Sequence, residues 1–276
     1  MSLHSRTLSL AVLILAPVFS AGCPTVATTG RKQLMLISPE KEVQLGEAAY
    51  GQILADETLN DDPALNAILQ RVGWRVAAAT GRDDFAWEFN LIESDEVNAF
   101  CLPGGKIAVY TGLIPVAAND AGLAIILGHE IAHAIARHGA ERMSQRQTVN
   151  LARQTLSIAA AAAGLGAVGS TATEAFDITT ELGIMLPYSR AHESEADHLG
   201  LLYAAKAGYD PRQAVPLWQR MNDSADSRPP AFLSTHPNPD HRIEDFQQIM
   251  PHALDAYHAA PQQFGQGQPL PANPTT

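Results

Sequence analysis

His129-Glu130-Ile131-Ala132-His133 lies inside an apolar, helix-compatible run from Ala121 to Arg137, and this constrains the fold more than any other feature of the 276 residues. Positions four apart share one face of a helix, so the imidazoles of His129 and His133 can meet one metal ion from adjacent turns. Glu130 stands beside them. A carboxylate on that turn is badly placed to be a third ligand, but it can take a proton from an attacking water, which is how HExxH serves zinc-dependent hydrolysis. Such a site needs a third protein ligand and one open position, so the fold must bring another His, Asp or Glu to this helix.

Ser189-Arg190-Ala191-His192-Glu193-Ser194-Glu195-Ala196-Asp197 supplies the candidate, because it runs into Leu199, Leu201, Leu202 and Ala205 as one face of a second helix. Glu193 can be offered to the metal while Asp197, one turn later, accepts the free ring N–H of a ligating histidine and fixes its tautomer. Glu195 falls about 200° around the helix from Glu193 and should face elsewhere.

These blocks, with Asn98-Ala99-Phe100-Cys101-Leu102-Pro103-Gly104-Gly105-Lys106-Ile107, Tyr110-Thr111-Gly112-Leu113, Ser234-Thr235-His236-Pro237 and Arg242-Ile243, occur in the order found in one metallopeptidase family. The chain resembles the gluzincins that include the CAAX prenyl proteases, the HtpX-type proteases and the periplasmic protease BepA, over roughly residues 31 to 250. The resemblance implies an α+β, mainly helical zincin-type domain with a small sheet beside the HExxH helix. It implies one zinc per chain, held by His129, His133 and Glu193, with Asp197 behind them.

By the same resemblance His236 and Arg242 face the site. His236 has three open roles: donor to a developing oxyanion, occupant of the fourth zinc position as a gate, or loop histidine between Pro237 and Pro239. Arg242 either holds a substrate carbonyl or carboxylate or forms a salt bridge at a helix start. Asn98 and Ala99 are candidate substrate contacts, since a sheet edge beside a zinc cleft can pair with an extended peptide; an internal hairpin without substrate contact is the alternative.

The amino terminus gives a location. Arg6 precedes an apolar run from Leu8 to Phe19, followed by Ser20-Ala21-Gly22-Cys23. Residues 1–22 therefore read as a signal peptide. Cys23 reads as a lipobox cysteine, although Ser20 stands where leucine is usual. Pro24 in place of aspartate favours delivery to the outer membrane, facing the periplasm; a soluble periplasmic protein is the alternative. Residues 23–37 then form a linker, 38–250 the peptidase domain and 251–276 a flexible tail. Cys101, left without a partner, reads as a small buried hydrophobe. The net charge of −11 argues against nucleic-acid binding and against electrostatic adhesion to anionic lipid.

Breakers and periodicity order the rest. Ser38-Pro39 and Asp62-Pro63 open helices reaching about Glu57 and Gly81. The alternation of Phe85, Trp87, Phe89 and Leu91 predicts a strand, and Val97 to Leu102 and Lys106 to Thr111 predict two more around Pro103-Gly104-Gly105. Gln154 to Thr173, uncharged and rich in alanine and glycine, is expected to form helices packed near the cleft, with membrane-dipping or lid behaviour as the alternative. Asp210 should cap a helix ending near Met221.

The expected activity is zinc-dependent hydrolysis of peptide bonds in misfolded or stalled envelope proteins, with a lipoprotein or assembly machinery as a candidate partner. Two rivals remain. One is a chaperone or assembly factor whose zinc is structural or silenced; the other is a di-iron carboxylate protein built on Glu130-x-x-His133 and Glu195-x-x-His198.

Overall fold

The computed structural model describes residues 24–162, 187–227, 230–237 and 241–271. The expected signal peptide, Cys23, Pro239 and the 163–173 part of the alanine-glycine stretch lie outside these residues. In chain order the elements are α1 (Pro39–Asp56), α2 (Pro63–Ala79), β1 (Glu88–Ile92), β2 (Ala99–Leu102), β3 (Lys106–Tyr110), the short α3 (Ile114–Ala117), α4 (Asp120–Ile135), α5 (His138–Ala162), α6 (Arg190–Lys206), α7 (Ala214–Ser227), the short α8 (Ala231–Thr235) and α9 (Arg242–Ala259). The fold is mainly helical with one small sheet, a zincin-type α+β arrangement.

The sheet has the order β1-β3-β2, with β1 parallel and β2 antiparallel to β3. Alternate residues of a strand face opposite sides, and here both sides are covered. Phe89, Leu91, Cys101, Ile107 and Val109 join the main core with Leu69, Val72 and Val76 of α2 and Leu123, Leu127 and Ile131 of α4. Ile92, Phe100, Leu102 and Tyr110 join a second cluster with Tyr50 of α1 and Met143 of α5. Trp87 precedes the strand that its alternation helped to predict, bonding its indole N–H to Arg82 O at 3.1 Å. β2 is an edge strand. Tyr110 N–H donates to Asn98 O, so residues 98, 100 and 102 pair with β3 and the peptide groups of Ala99 and Cys101 point to the open edge.

Helix α4 is apolar on nearly every side and buried from Asp120 to Ala134, as a helix at the centre of a domain must be. Asn119 caps it, accepting from Gly122 N–H at 2.9 Å. Its partner is α6, and the two backbones touch at glycines: a Cβ on Gly128 would lie 2.4 Å from Gly200 O, and one on Gly200 would lie 2.5 Å from His129 N. Helices this close can place His129 and Glu193 at one ion. Gly200→Ala would gain about 0.5–1 kcal/mol of helix propensity, but the clash is with backbone that cannot step aside. The net result should be a loss of about 1–3 kcal/mol in urea unfolding, with weaker zinc binding.

Three expectations change. The segment after Cys23 is no free linker: Val26, Gln33 and Ile37 are buried and Gly30 turns with φ of 72°. Nor are residues 251–271 a flexible tail. Helix α9 runs through Pro251 to Ala259, and the chain then lays carbonyls of Gln266 and Gln268 on the N–H groups of Ala121 and Asp120. Those amides open α4 and have no partner within the helix, so a proline- and glutamine-rich segment is ordered by backbone pairing, together with Leu270 buried in the main core and Phe264 packed against it. Third, residues 154–162 continue α5, and Ile158 in this part is exposed. Among the described residues no helix is long and apolar enough to cross a membrane. Asp210 caps as expected, but through a 3-10 turn at Pro211–Gln213, and α7 continues past Met221 to Ser227.

Candidate metal centre and active site

Both histidines of α4 turn their Nε2 atoms to one point, 3.1 Å apart. Glu193, in the first turn of α6, brings Oε2 to 3.5 Å from His129 Nε2 and Oε1 to 3.4 Å from His133 Nε2. His236, just after α8, sets Nδ1 3.2 Å from His129 Nε2 and 3.1 Å from Glu193 Oε1. Ligands bound tetrahedrally at zinc distances of about 2.0–2.1 Å stand about 3.3 Å from one another, which these separations match. The donor chemistry fits too. His129 Nδ1 lies 2.9 Å from Asp197 Oδ1, so with its proton given to Asp197 its Nε2 can offer only a lone pair. His129, His133, Glu193 and His236 form the one group of metal-capable donors found among the described residues.

Electrostatics point the same way. Burial alone would depress the His129 pKa, yet the carboxylates of Asp197 and Glu193 carry it up to about 10; what draws a proton there also draws a divalent ion. Burial opposes ionisation of Glu193, but His236, His129 and His133 hold its pKa far below the ordinary carboxylate range. Glu130 differs: burial raises its pKa, only partly offset by His236 and the Cys101 main-chain amide. Its Oε1 has no hydrogen-bond partner and stands 3.5 Å from His236 Nε2. A buried, proton-hungry oxygen without a partner, beside the metal donors, is placed to handle a water's proton.

The cavity at this point is lined by Glu130, His133, His236 and Tyr188 on one side and by Asn98 to Pro103 on the other. Asn98 and Ala99 thus border the metal centre, with Ala99 N–H held by Asn98 Oδ1 at 3.0 Å. Cys101 lines it as a buried free thiol. Arg242 does not line it. It is 2 % exposed, lies 3.9 Å over the Trp218 ring, and spends Nε on Asp197 Oδ2 at 2.6 Å and Nη2 on Glu193 Oε2 at 2.7 Å. The substrate contact considered for it is replaced by a buried clamp on two carboxylates. Glu195 faces away from the metal, toward His138 Nε2 at 2.9 Å and Arg31 Nε at 2.7 Å. That removes the second ExxH element from any shared di-iron site.

Sequence reasoning missed His138 and Tyr188. His138 Nδ1 meets His133 Nδ1 at 2.9 Å, and burial depresses its pKa to about 4, so it is a neutral partner. Tyr188 stacks on His133 with ring centres 3.9 Å apart, beneath the Arg142 guanidinium at 3.5 Å. A histidine five residues past His133 was visible, but only the tight corner at Arg137, with φ of 59°, folds it back. Tyr188 had no such signal.

A central helix carrying HExxH, a second helix presenting a glutamate to it, and an edge strand across the cleft define a gluzincin-type zinc metalloendopeptidase. The profile of peptidase family M48 matches residues 63–250, and the chain belongs to that family. It is similar to the mitochondrial metalloendopeptidase OMA1 of Schizosaccharomyces pombe, at 33% identity over 84% of this chain and 70% of the relative. It is also similar to the beta-barrel assembly-enhancing protease of Escherichia coli K12, at 30% identity over 83% of this chain and 48% of the relative. With OMA1 of Arabidopsis thaliana it shares 37% identity over 66% of this chain and 36% of the relative. The chain therefore spans about half of the Escherichia coli protein. The family uses zinc, and its substrates are proteins.

Proposed function

We propose that the chain cleaves misfolded or stalled proteins of a bacterial envelope, with His129, His133 and Glu193 as zinc ligands and Glu130 as general base. The carrying observation is that donors at tetrahedral separations, an unpartnered Glu130 oxygen and the open edge of β2 share one cleft. Zinc held there supplies Lewis acidity, activating a water and polarising the scissile carbonyl. Glu130 takes the water's proton as the carbonyl is attacked and delivers it to the departing amine. Asp197 keeps His129 in the tautomer that leaves Nε2 free, and Arg242 holds Asp197 and Glu193 together. An extended substrate pairs with the outward carbonyl of Ala99, which recognises backbone and demands little sequence.

The envelope setting is supported by the signal-peptide pattern of residues 1–22, by the lipobox-like Ser20-Ala21-Gly22-Cys23, and by the similarity to a protein named for beta-barrel assembly. The anchor faces the periplasm from the outer membrane. Incubating zinc-loaded wild type and Glu130→Gln with an unfolded outer-membrane protein, with fragment mapping by mass spectrometry, tests the activity. Fragments made by wild type alone support it, and an intact substrate refutes it. Palmitate labelling that disappears in Cys23→Ala tests the tether.

His236 favours a second element of this reading. Its Nδ1 occupies the fourth corner of the donor set, the corner an attacking water requires. The geometry suits a gate that holds the site silent until displaced, and so accommodates the silenced-factor alternative. His236→Ala should raise cleavage of an unfolded substrate several-fold. A loss of activity with zinc retained would assign His236 to the oxyanion instead.

A further inference from the structure

The strap of residues 24–37 reaches the metal centre from behind. Thr29 donates its hydroxyl to Glu195 Oε1. Arg31 donates Nε to Glu195 Oε2 at 2.7 Å and Nη1 to Glu141 Oε2 at 2.8 Å. Glu195 Oε2 lies 2.9 Å from His138 Nε2, and His138 Nδ1 lies 2.9 Å from His133 Nδ1. Hydrogen positions follow link by link. With His133 Nε2 facing the other metal donors, its proton sits on Nδ1. His138 must then accept at Nδ1 and carry its own proton on Nε2, and a carboxylate can only accept that one. His138 is fully buried, so water does not compete for these bonds.

The strap also grips the corner that sets His138 in place. Gln33 donates its amide to Ala136 O, and Ile37 O accepts from Arg137 Nη2 at 3.2 Å. Arg137, in the left-handed region at φ of 59°, is held as well by Glu42 at 2.6 Å. A non-glycine residue there is uncommon and persists because its surroundings fix it.

We propose that this strap is a working part of the metal centre: through Glu195 and His138 it fixes the tautomer and orientation of His133, which makes Arg31 a positioning residue for zinc. The inference rests on His129, His133 and Glu193 being the zinc ligands. Arg31 lies outside the segment matched to the family, residues 63–250, and no zinc-binding pattern in the sequence includes it. Partners behind a metal ligand are worth about 10–100-fold in affinity. A strap that merely closed the surface would be worth nothing in that measure.

The full chain is the test object. Zinc affinity is read by competition with a chromogenic chelator, and site geometry by the visible spectrum of the cobalt-substituted protein. Variants are Arg31→Ala, Glu195→Ala, their double, and Arg82→Ala as control, Arg82 being paired with Asp84 on the surface. Glu195→Ala should weaken zinc binding about 10–100-fold and Arg31→Ala about tenfold. The double variant should be no weaker than Glu195→Ala alone, because both act along one route. The cobalt spectrum should change in Arg31→Ala and not in Arg82→Ala. Wild-type affinity in a folded Arg31→Ala, or losses that simply add in the double variant, would overturn the proposal. Should Arg31→Ala fail to fold, Arg31→Gln and the near-isosteric Glu195→Gln carry the same comparison. A wild-type chain that takes up no zinc would overturn the ligand assignment itself, and this proposal with it.

Discussion

Glu130→Gln is expected to lower kcat on an unfolded protein substrate by about a hundred- to ten-thousand-fold, the range that a positioned general base contributes. KM should move little, since the carboxylate acts on a proton and not on the substrate's uniform binding. Fold and zinc content should survive. Glu130 is 2 % exposed, its burial already penalises the charged form, and its Oε1 has no partner to lose. An amide of the same shape removes that penalty, so the variant should melt no lower than wild type. Steady-state kinetics, metal analysis and a thermal scan on one preparation check all three. Lost activity accompanied by lost zinc or a lowered melting temperature would mean that Glu130 has a structural task.

Arg242→Ala should be the most damaging single change to stability, costing about 3–5 kcal/mol, as when one partner is removed from a buried ionic cluster. Arg242 joins α9 to α6 through Asp197 and Glu193, and its guanidinium covers Trp218. Without it two carboxylates stay buried beside one another. Bound zinc would offset part of the charge on Glu193, so the full loss belongs to urea unfolding of zinc-free protein and a smaller one to the loaded form. Arg242→Lys should rescue little, because one ammonium cannot copy a fork that reaches two carboxylates at once. Unfolding within experimental error of wild type would show that the clamp is dispensable.

Much of the centre was legible because helices have a fixed period. Four-residue spacing sets His129 over His133 and Glu193 over Asp197, and Ser38 and Asp62 mark helix starts where the structure has them. The period also turned Glu195 away from the metal. What periodicity could not show was where that side chain arrives, since its partners come from two distant points of the chain, Thr29 and Arg31 from one and His138 from the other. Arg242 stayed open between substrate contact and salt bridge for a related reason: a helix-start arginine looks the same in sequence whether it faces solvent, substrate or two buried carboxylates. The tail was misjudged because its composition conceals both the carbonyls that satisfy the first amides of a buried helix and the two apolar side chains, Phe264 and Leu270, that reach the core. Nor does periodicity reveal that Gly128 and Gly200 must meet; only the crossing of α4 and α6 makes their missing side chains matter.

The central claim is that α4 and α6 bring two imidazoles and one carboxylate to a single zinc ion. Anomalous diffraction at the zinc edge from crystals of the metal-loaded protein tests it most directly. The account predicts one strong peak per chain, about 2.0–2.1 Å from Nε2 of His129 and of His133 and about 2.0–2.2 Å from the Glu193 carboxylate. A peak elsewhere in the chain, or one at the two histidines with Glu193 turned away from it, would contradict it.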